Sequence, residues 1–284
     1  DERVISILPM ERSMIENPEG HFLMFATANG RIKKSKLSEY ARINRNGKFA
    51  LKFADGDSDN LVSVRPATDA DHVVLVSASG NACRFMPAEE KTRVSPETGE
   101  SVTTYVVRVQ GRISQGVSGM KLSEGDKVIG MIVTDDFDTS VLTISKYGMA
   151  KRSRLGSGEM IPLAEDGSPL VDESGDQVFE RDGYRKTNRG TKGVRTMSLR
   201  EGDEIVSVRQ IPDLDDQLFM LTGSGMMIRM VSGQTKETLG KVTKGTRIME
   251  LRNRDRTGYE DEIVFVARLP SELISTGESL EEEE

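Results

Sequence analysis

The sequence predicts an all-β fold, an array of propeller-like blades of four antiparallel strands. Three observations point there. An apolar strand runs four times into a small-residue turn with a glycine, at Gly30, Gly80, Gly148 and Gly225. A basic residue follows four positions later, at Lys34, Arg84, Arg152 and Arg229. Each copy has a second half, and where no insertion intervenes the copies are spaced about 50 residues apart, the length of one blade.

The first halves read FATANGRIKK, LVSASGNACR, TISKYGMAKR and MLTGSGMMIR, each a hairpin. The second halves open on Gly47, Gly116, Gly193 and Gly245. Ten residues beyond each stands an aspartate, Asp57, Asp126, Asp203 and Asp255, preceded in the first three copies by Gly56, Gly125 and Gly202. The fourth copy has Arg254 in that place. Acid–Gly–Asp before the strands LVSV, VIGMIV, IVSV and IVFV is a turn signal, so these aspartates read as turn formers. Each copy is therefore strand, turn, strand, variable loop, strand, turn, strand.

Gly30 to Gly80 is 50 residues and Gly193 to Gly245 is 52. The two glycines of a copy lie 17, 36, 45 and 20 residues apart in order, so the extra length falls at one point of the repeat. This places insertions at about 93–111 and 156–184, the second an extra polar hairpin around Gly167 and Gly175. The blades are expected at about 19–67, 68–134, 135–211 and 212–269. RVISILPM, at residues 3–10, resembles the closing strand of a copy whose other strands are missing, so 1–18 reads as the end of a preceding blade. The chain thus reads as a fragment cut within a repeat.

The net charge of −7 hides two regions. Residues 271–284 hold six acidic residues and no basic ones. The remainder carries 40 acidic and 39 basic residues. A balanced body can still present a basic stripe, since the local distribution of charge attracts a polyanion. The acidic run reads as a disordered solubilising tail; a sharper reading is a polyanion mimic that competes for the stripe. The single Cys83 excludes a disulfide framework and fits a cytosolic setting. No apolar run approaches the roughly 20 residues of a membrane span.

The cations cluster. The hairpins supply Arg31, Lys33, Lys34 and Lys36, then Arg84, then Lys151, Arg152 and Arg154, then Arg229. The loops add Arg45 and Lys48, Arg108 and Arg112, Arg185, Lys186, Arg189 and Lys192, and finally Lys241 and Lys244. Glycine and asparagine nearby let the backbone approach phosphates. Aromatic residues are only 5% of the chain, which disfavours a single-strand reader built on stacking platforms. His21 and His72 are too few and too far apart for a metal centre, and no triad or phosphate-binding loop is present. No cofactor is expected. The alternatives from other classes are a propeller scaffold for protein partners and a propeller enzyme with a central site.

FLMFATANGRIKKSKLSEYARINRNGKFALKFADGD, GVSGMKLSEGDKVIGMIV and TKGVRTMSLREGDEIVSV resemble the C-terminal domain of the A subunit of bacterial DNA gyrase, over residues 1 to about 269. The related topoisomerase IV protein is the alternative within the superfamily. The resemblance implies a β-pinwheel in which neighbouring blades exchange a strand. It also implies duplex DNA as partner, bound by a basic outer rim and bent. The remaining partners implied are the rest of the gyrase A protein and, through it, the gyrase B protein, in an A2B2 enzyme of the bacterial cytoplasm. The DNA-cleaving tyrosine of that family lies in another domain, so Tyr40, Tyr105, Tyr147, Tyr184 and Tyr259 inherit no catalytic role. One departure stands out. The family's box of form Q-basic-R-G-G-basic-G is absent, and neither NRNGK at 44–48 nor TNRGTKG at 187–193 replaces it. The expectation is DNA binding by this segment, with full wrapping dependent on a box it lacks.

Overall fold

The computed structural model describes residues 4–42, 45–53, 58–95, 99–162, 170–238, 243–251 and 261–274. A short helix α1 (Arg12–Glu16) precedes the first repeat. That repeat supplies β1 (Phe22–Thr27), β2 (Arg31–Lys36) and β3 (Leu61–Ala67). The second supplies β4 (His72–Ser77), β5 (Asn81–Phe85), β6 (Glu90–Val94), β7 (Ser101–Tyr105), β8 (Val117–Ser118) and β9 (Val128–Thr134). The third holds β10 (Ser140–Ser145), β11 (Met149–Arg154), β12 (Met160–Pro162), β13 (Leu170–Val171), β14 (Gln177–Arg181), β15 (Val194–Arg195) and β16 (Ile205–Ile211). The fourth holds β17 (Gln217–Thr222), β18 (Met227–Val231), β19 (Thr246–Arg247) and β20 (Ile263–Leu269).

The chain forms two compact units, residues 1–135 with 187–194, and 136–186 with 195–284. The first holds the sheets β3-β1-β2-β8 and β15-β5-β4-β9 and the hairpin β6-β7. The second holds β16-β10-β11-β19, the three-stranded sheet β18-β17-β20 and the insertion sheet β12-β14-β13.

A blade is thus not one repeat. Each repeat gives a hairpin and a closing strand, and the fourth strand comes from the repeat that follows: β8 onto β2, β15 onto β5, β19 onto β11. Glycine makes the transfer possible. Gly116 and Gly245, which open the second halves of their repeats, sit at φ +74° and +76°. A Cβ on Gly116 would lie 2.5 Å from the Ile32 carbonyl oxygen, and one on Gly245 would lie 2.2 Å from that of Ala150. Only a residue without a side chain passes this close to the accepting strand.

Each hairpin is built in the same way. The first strand ends on a hydroxyl residue, Thr27, Ser77, Ser145 or Thr222, whose oxygen accepts the amide four residues on at 3.2–3.4 Å. Opposite it the closing strand carries a β-bulge in all four copies, at Ala26/Thr27, Val76/Ser77, Ile144/Ser145 and Leu221/Thr222. The core strands read as continuous apolar runs because both faces are covered: β1, β4 and β10 are buried at every position.

In the first unit Met24, Val73, Leu75 and Met131 share one core cluster, and Leu23, Phe25, Leu37 and Val64 form another with Leu8, Met10 and Met14 packed on it. In the second unit Leu142, Ile144, Leu218, Met220 and Val266 pack together. Fully burying a side chain such as Leu75 or Leu142 contributes about 1.5–3 kcal/mol.

Two expectations change. Residues 4–10 form no strand, although Leu8 and Met10 pack on the core; without ladder pairing a segment here is not a blade strand. The second half of the first repeat, residues 47–53, forms no strand either. Gly47 has nothing within 4 Å of a Cβ, where Gly116 and Gly245 press on an accepting strand. Gly167, Asp57, Asp255 and residues 275–284 of the acidic run lie outside the described residues.

Candidate nucleic-acid interface

The recurring cation is a joint of the fold. Its register is constant, opposite the middle of the first strand: Lys34 faces Met24, Arg84 faces Val74, Arg152 faces Leu142 and Arg229 faces Phe219. Its backbone carbonyl receives the incoming segment of the next repeat. Gln110 donates its amide to Lys34 at 2.8 Å, Thr187 to Arg84 at 2.6 Å and Thr238 to Arg152 at 2.9 Å. The side chain itself is buried, with Lys34, Arg84 and Arg152 only 2%, 1% and 8% exposed. Among the described residues nothing pairs with β18 beyond β17, and Arg229 is exposed, stacked 5.9 Å over Phe219.

The expected rim role of Lys34, Arg84 and Arg152 is therefore corrected. Lys34 pairs with Asp69 and lies 3.9 Å over the Phe22 ring. The Arg84 Nε donates to His72 Nδ1 at 3.2 Å. Arg152 donates to the Thr235 carbonyl at 2.9 Å and to Glu237 at 2.8 Å. Buried charges persist when they are paired and hydrogen-bonded in this way.

Lys33 and Lys151 are corrected likewise, being buried side chains. Lys33 Nζ donates to the carbonyls of Ala50, at 2.6 Å, and Arg112. Lys151 Nζ donates to the Thr196 carbonyl at 2.7 Å. Burial lowers the Lys33 pKa to about 8, Glu39 opposing and Arg112 adding to the shift, and burial alone lowers that of Lys151 to about 8.

The remaining cations stay near solvent. In the first unit Lys36, Arg45 and Lys192 are exposed, while Arg31, Lys48, Arg112 and Arg189 are half-buried. The stretch from Gln110 to Gly116 organises several of them. Arg31 donates to the carbonyls of Gln115 at 2.9 Å and Gly116 at 3.0 Å. The Arg112 amide bonds Glu39 at 3.0 Å, and Lys48 Nζ donates to the Glu39 carbonyl at 3.2 Å. Arg189 donates to Val106 at 2.8 Å and to Ser118.

In the second unit Arg154, Arg185, Lys186, Arg229 and Lys244 are exposed. Arg154 pairs with Asp138 at 3.0 Å and Lys186 with Glu159 at 2.7 Å, which lowers the net positive charge they present. Lys241 lies outside the described residues. Among the described residues, no three His, Cys, Asp or Glu side chains group to hold a metal ion, and no helix is long and apolar enough to cross a membrane.

Residue counting missed two features. The aspartate that accepts the amide of the residue before the hairpin glycine is Asp59 in the first repeat and Asp261 in the fourth, two and six residues beyond the expected Asp57 and Asp255. Lys91, on the inserted hairpin, faces the 187–192 loop and bonds Asn188 at 2.6 Å. Its signal in the sequence was only its position at the border of an insertion.

The four repeats match the family described as DNA gyrase C-terminal domain, beta-propeller, over residues 21–68, 101–135, 178–212 and 216–257, more than half of the chain. The chain is similar to the DNA gyrase A protein of Rickettsia bellii, 29% identical over 275 residues that cover 88% of this chain and 28% of the relative. It is 30% identical to that of Staphylococcus epidermidis over 235 residues, 82% of this chain and 21% of the relative. It is 29% identical to that of Escherichia coli over 270 residues, 95% of this chain and 24% of the relative. The chain thus spans about a quarter of the length of these relatives.

Among solved structures, the C-terminal domain of DNA topoisomerase IV matches with a TM-score of 0.65 at 17% identity, over 93% of this chain and 67% of that one. The DNA gyrase A C-terminal domain matches with a TM-score of 0.60 at 20% identity, over 89% and 67%. These likenesses establish the β-pinwheel fold. Repeats matched one after another, on sheets that exchange their fourth strand, place this chain in the DNA gyrase C-terminal domain family.

Proposed function

We propose that this chain binds duplex DNA as the C-terminal module of a DNA gyrase A protein. It does no chemistry itself. It bends DNA for the ATP-dependent negative supercoiling of the whole enzyme, assembled with the rest of the A protein and with the gyrase B protein in the bacterial cytoplasm. Family membership over all four repeats carries the reading. The cations that remain accessible support it: Arg31, Lys36, Arg45, Lys48, Arg112, Arg154, Arg185, Lys186, Arg189, Lys192, Arg229 and Lys244. They sit largely on turns and on the segments that pass between repeats, where glycine lets backbone amides approach phosphate as well. With few aromatic side chains available, sequence preference comes from how readily the DNA bends.

Titration of a long duplex at rising salt tests the reading. Phosphate-driven binding weakens with a log–log slope of about −0.9 per phosphate contacted. Binding indifferent to salt, or none at all at low salt, refutes it.

A further inference from the structure

The inserted hairpin β6-β7 has a use that the repeat does not explain. Two strands alone are marginal in water, and this pair leaves Val94, Val102 and Tyr105 at least half exposed. Its base is nevertheless firm. The Val106 amide bonds the Glu89 carbonyl at 2.9 Å and that of Val107 bonds Pro87 at 2.9 Å. Val106 and Val107 are both buried in the core of the first unit.

So anchored, the hairpin walls a cleft of about 600 Å³ whose other sides are Val117 and the Asn188–Arg189 loop. Three cations line it, Lys91, Arg108 and Arg189, and none of the described lining residues is acidic. Two are held in place. Lys91 Nζ bonds the Asn188 side-chain oxygen at 2.6 Å, and Arg189 is fixed by the carbonyls of Val106 and Ser118. Arg108 lines it too and is exposed. Charges fixed in advance, beside an apolar wall and without a lining carboxylate, suit an anion whose binding no longer has to order them.

We propose that this cleft seats phosphate groups, and that the DNA backbone supplies them. The hairpin is then an added finger that extends the contact of the second repeat with DNA. The inference rests on the DNA reading for the source of the phosphate, not for the site itself.

The test uses the full chain, wild type and the double variant Lys91→Gln/Arg108→Gln. Thr104→Glu is a third protein, which places a negative charge on the cleft wall without removing a cation. Each is titrated with duplex DNA across salt, and with inorganic tripolyphosphate while the amide resonances of Val106, Val117 and Asn188 are followed. Tripolyphosphate is expected to shift these amides in the wild type and not in either variant. The duplex slope of the double variant is expected to be shallower by about 1.8, for two lost phosphate contacts.

If tripolyphosphate shifts the amides but the duplex slope does not change, the cleft takes free phosphate compounds, and the DNA source is overturned. If the wild type binds no duplex, the general DNA reading fails, and the amide shifts alone decide the cleft. Unshifted amides together with an unchanged duplex slope overturn the site.

Discussion

Asp126 holds the turn of a hairpin 47 residues before it: one carboxylate oxygen accepts the Ser79 amide at 2.9 Å and the other accepts the Ser79 hydroxyl at 2.6 Å. The same bond recurs from Asn29 to Asp59 at 2.8 Å, from Tyr147 to Asp203 at 3.3 Å and from Ser224 to Asp261 at 3.1 Å. Each time the donor is the residue before the hairpin glycine. The aspartate also accepts the amide of the residue that follows it, so one carboxylate caps its own turn and ties it to the hairpin. A carboxylate that accepts two amides makes charge-assisted bonds, each stronger than a neutral one. Asp126→Ala is expected to lower stability by about 1–3 kcal/mol, since two amides and a hydroxyl lose their acceptor. Thermal or urea unfolding measures it, and an unchanged midpoint would remove the clamp.

Much of this was legible in the sequence. The hairpin glycines, and the acid–Gly–Asp phrases of the second and third repeats, marked turns because positive φ and side-chain acceptors are local demands. The clamp partners were not, because Asp59 and Asp261 stand 12 and 16 residues beyond the second glycine of their repeats rather than ten. The burial of Lys34, Arg84 and Arg152 could not be read either. A basic residue on a strand looks solvent-facing until its partners are known, and Asp69 for Lys34, His72 for Arg84 and Glu237 for Arg152 are brought to it by tertiary packing with no local signature.

The strand transfer predicts a contrast between two glycines of the same repeat position. A Cβ at Gly193 would stand 2.1 Å from the Ala82 carbonyl oxygen, whereas Gly47 has nothing within 4 Å; both have positive φ, +74° and +72°. Gly47→Ala therefore carries only the backbone strain, about 1–2 kcal/mol. Gly193→Ala carries that strain and a clash with backbone, and its loss of stability is expected to be at least twice as large. Equal losses in the two variants would mean that Gly193 is there for its φ alone.

Lys33 and Lys151 predict an unusual alkaline trend. Their pKa falls from 10.5 to about 8 on folding, so between those values the unfolded chain binds more protons than the folded one. Stability from these groups then rises with pH through that window. Tyr40 and Tyr184 act the other way. Burial raises both above 10.0, so their contribution is lost only as pH climbs past the unfolded value. Between pH 7 and 9.5 the lysines should dominate. Urea midpoints are expected to increase over that range in the wild type, and to increase less in a Lys33→Met/Lys151→Met variant even though its absolute stability is lower. Parallel curves would show that neither lysine is depressed.

The division between buried and accessible cations predicts two separable classes of variant. Arg152 reaches Thr235, Ser140 and Glu237, all within its own unit. Truncating it with Arg152→Ala takes the donor from the Thr235 carbonyl and leaves Glu237 the Ser140 hydroxyl but not its cation, and a broken buried pair costs about 3–5 kcal/mol. Glu237 keeps some access to solvent, which puts the expected loss at the lower end of that range. The salt slope of DNA binding should be that of the wild type wherever the variant is still folded, since the guanidinium never reached a phosphate. Lys192→Gln is the opposite case. Lys192 is exposed, so unfolding should be unchanged within about 0.5 kcal/mol. Its DNA slope should become shallower by about 0.9 if it contacts one phosphate. Stability and salt slope measured on both variants form a two-by-two test. A changed slope with unchanged stability for Arg152→Ala would return that residue to the surface that meets DNA.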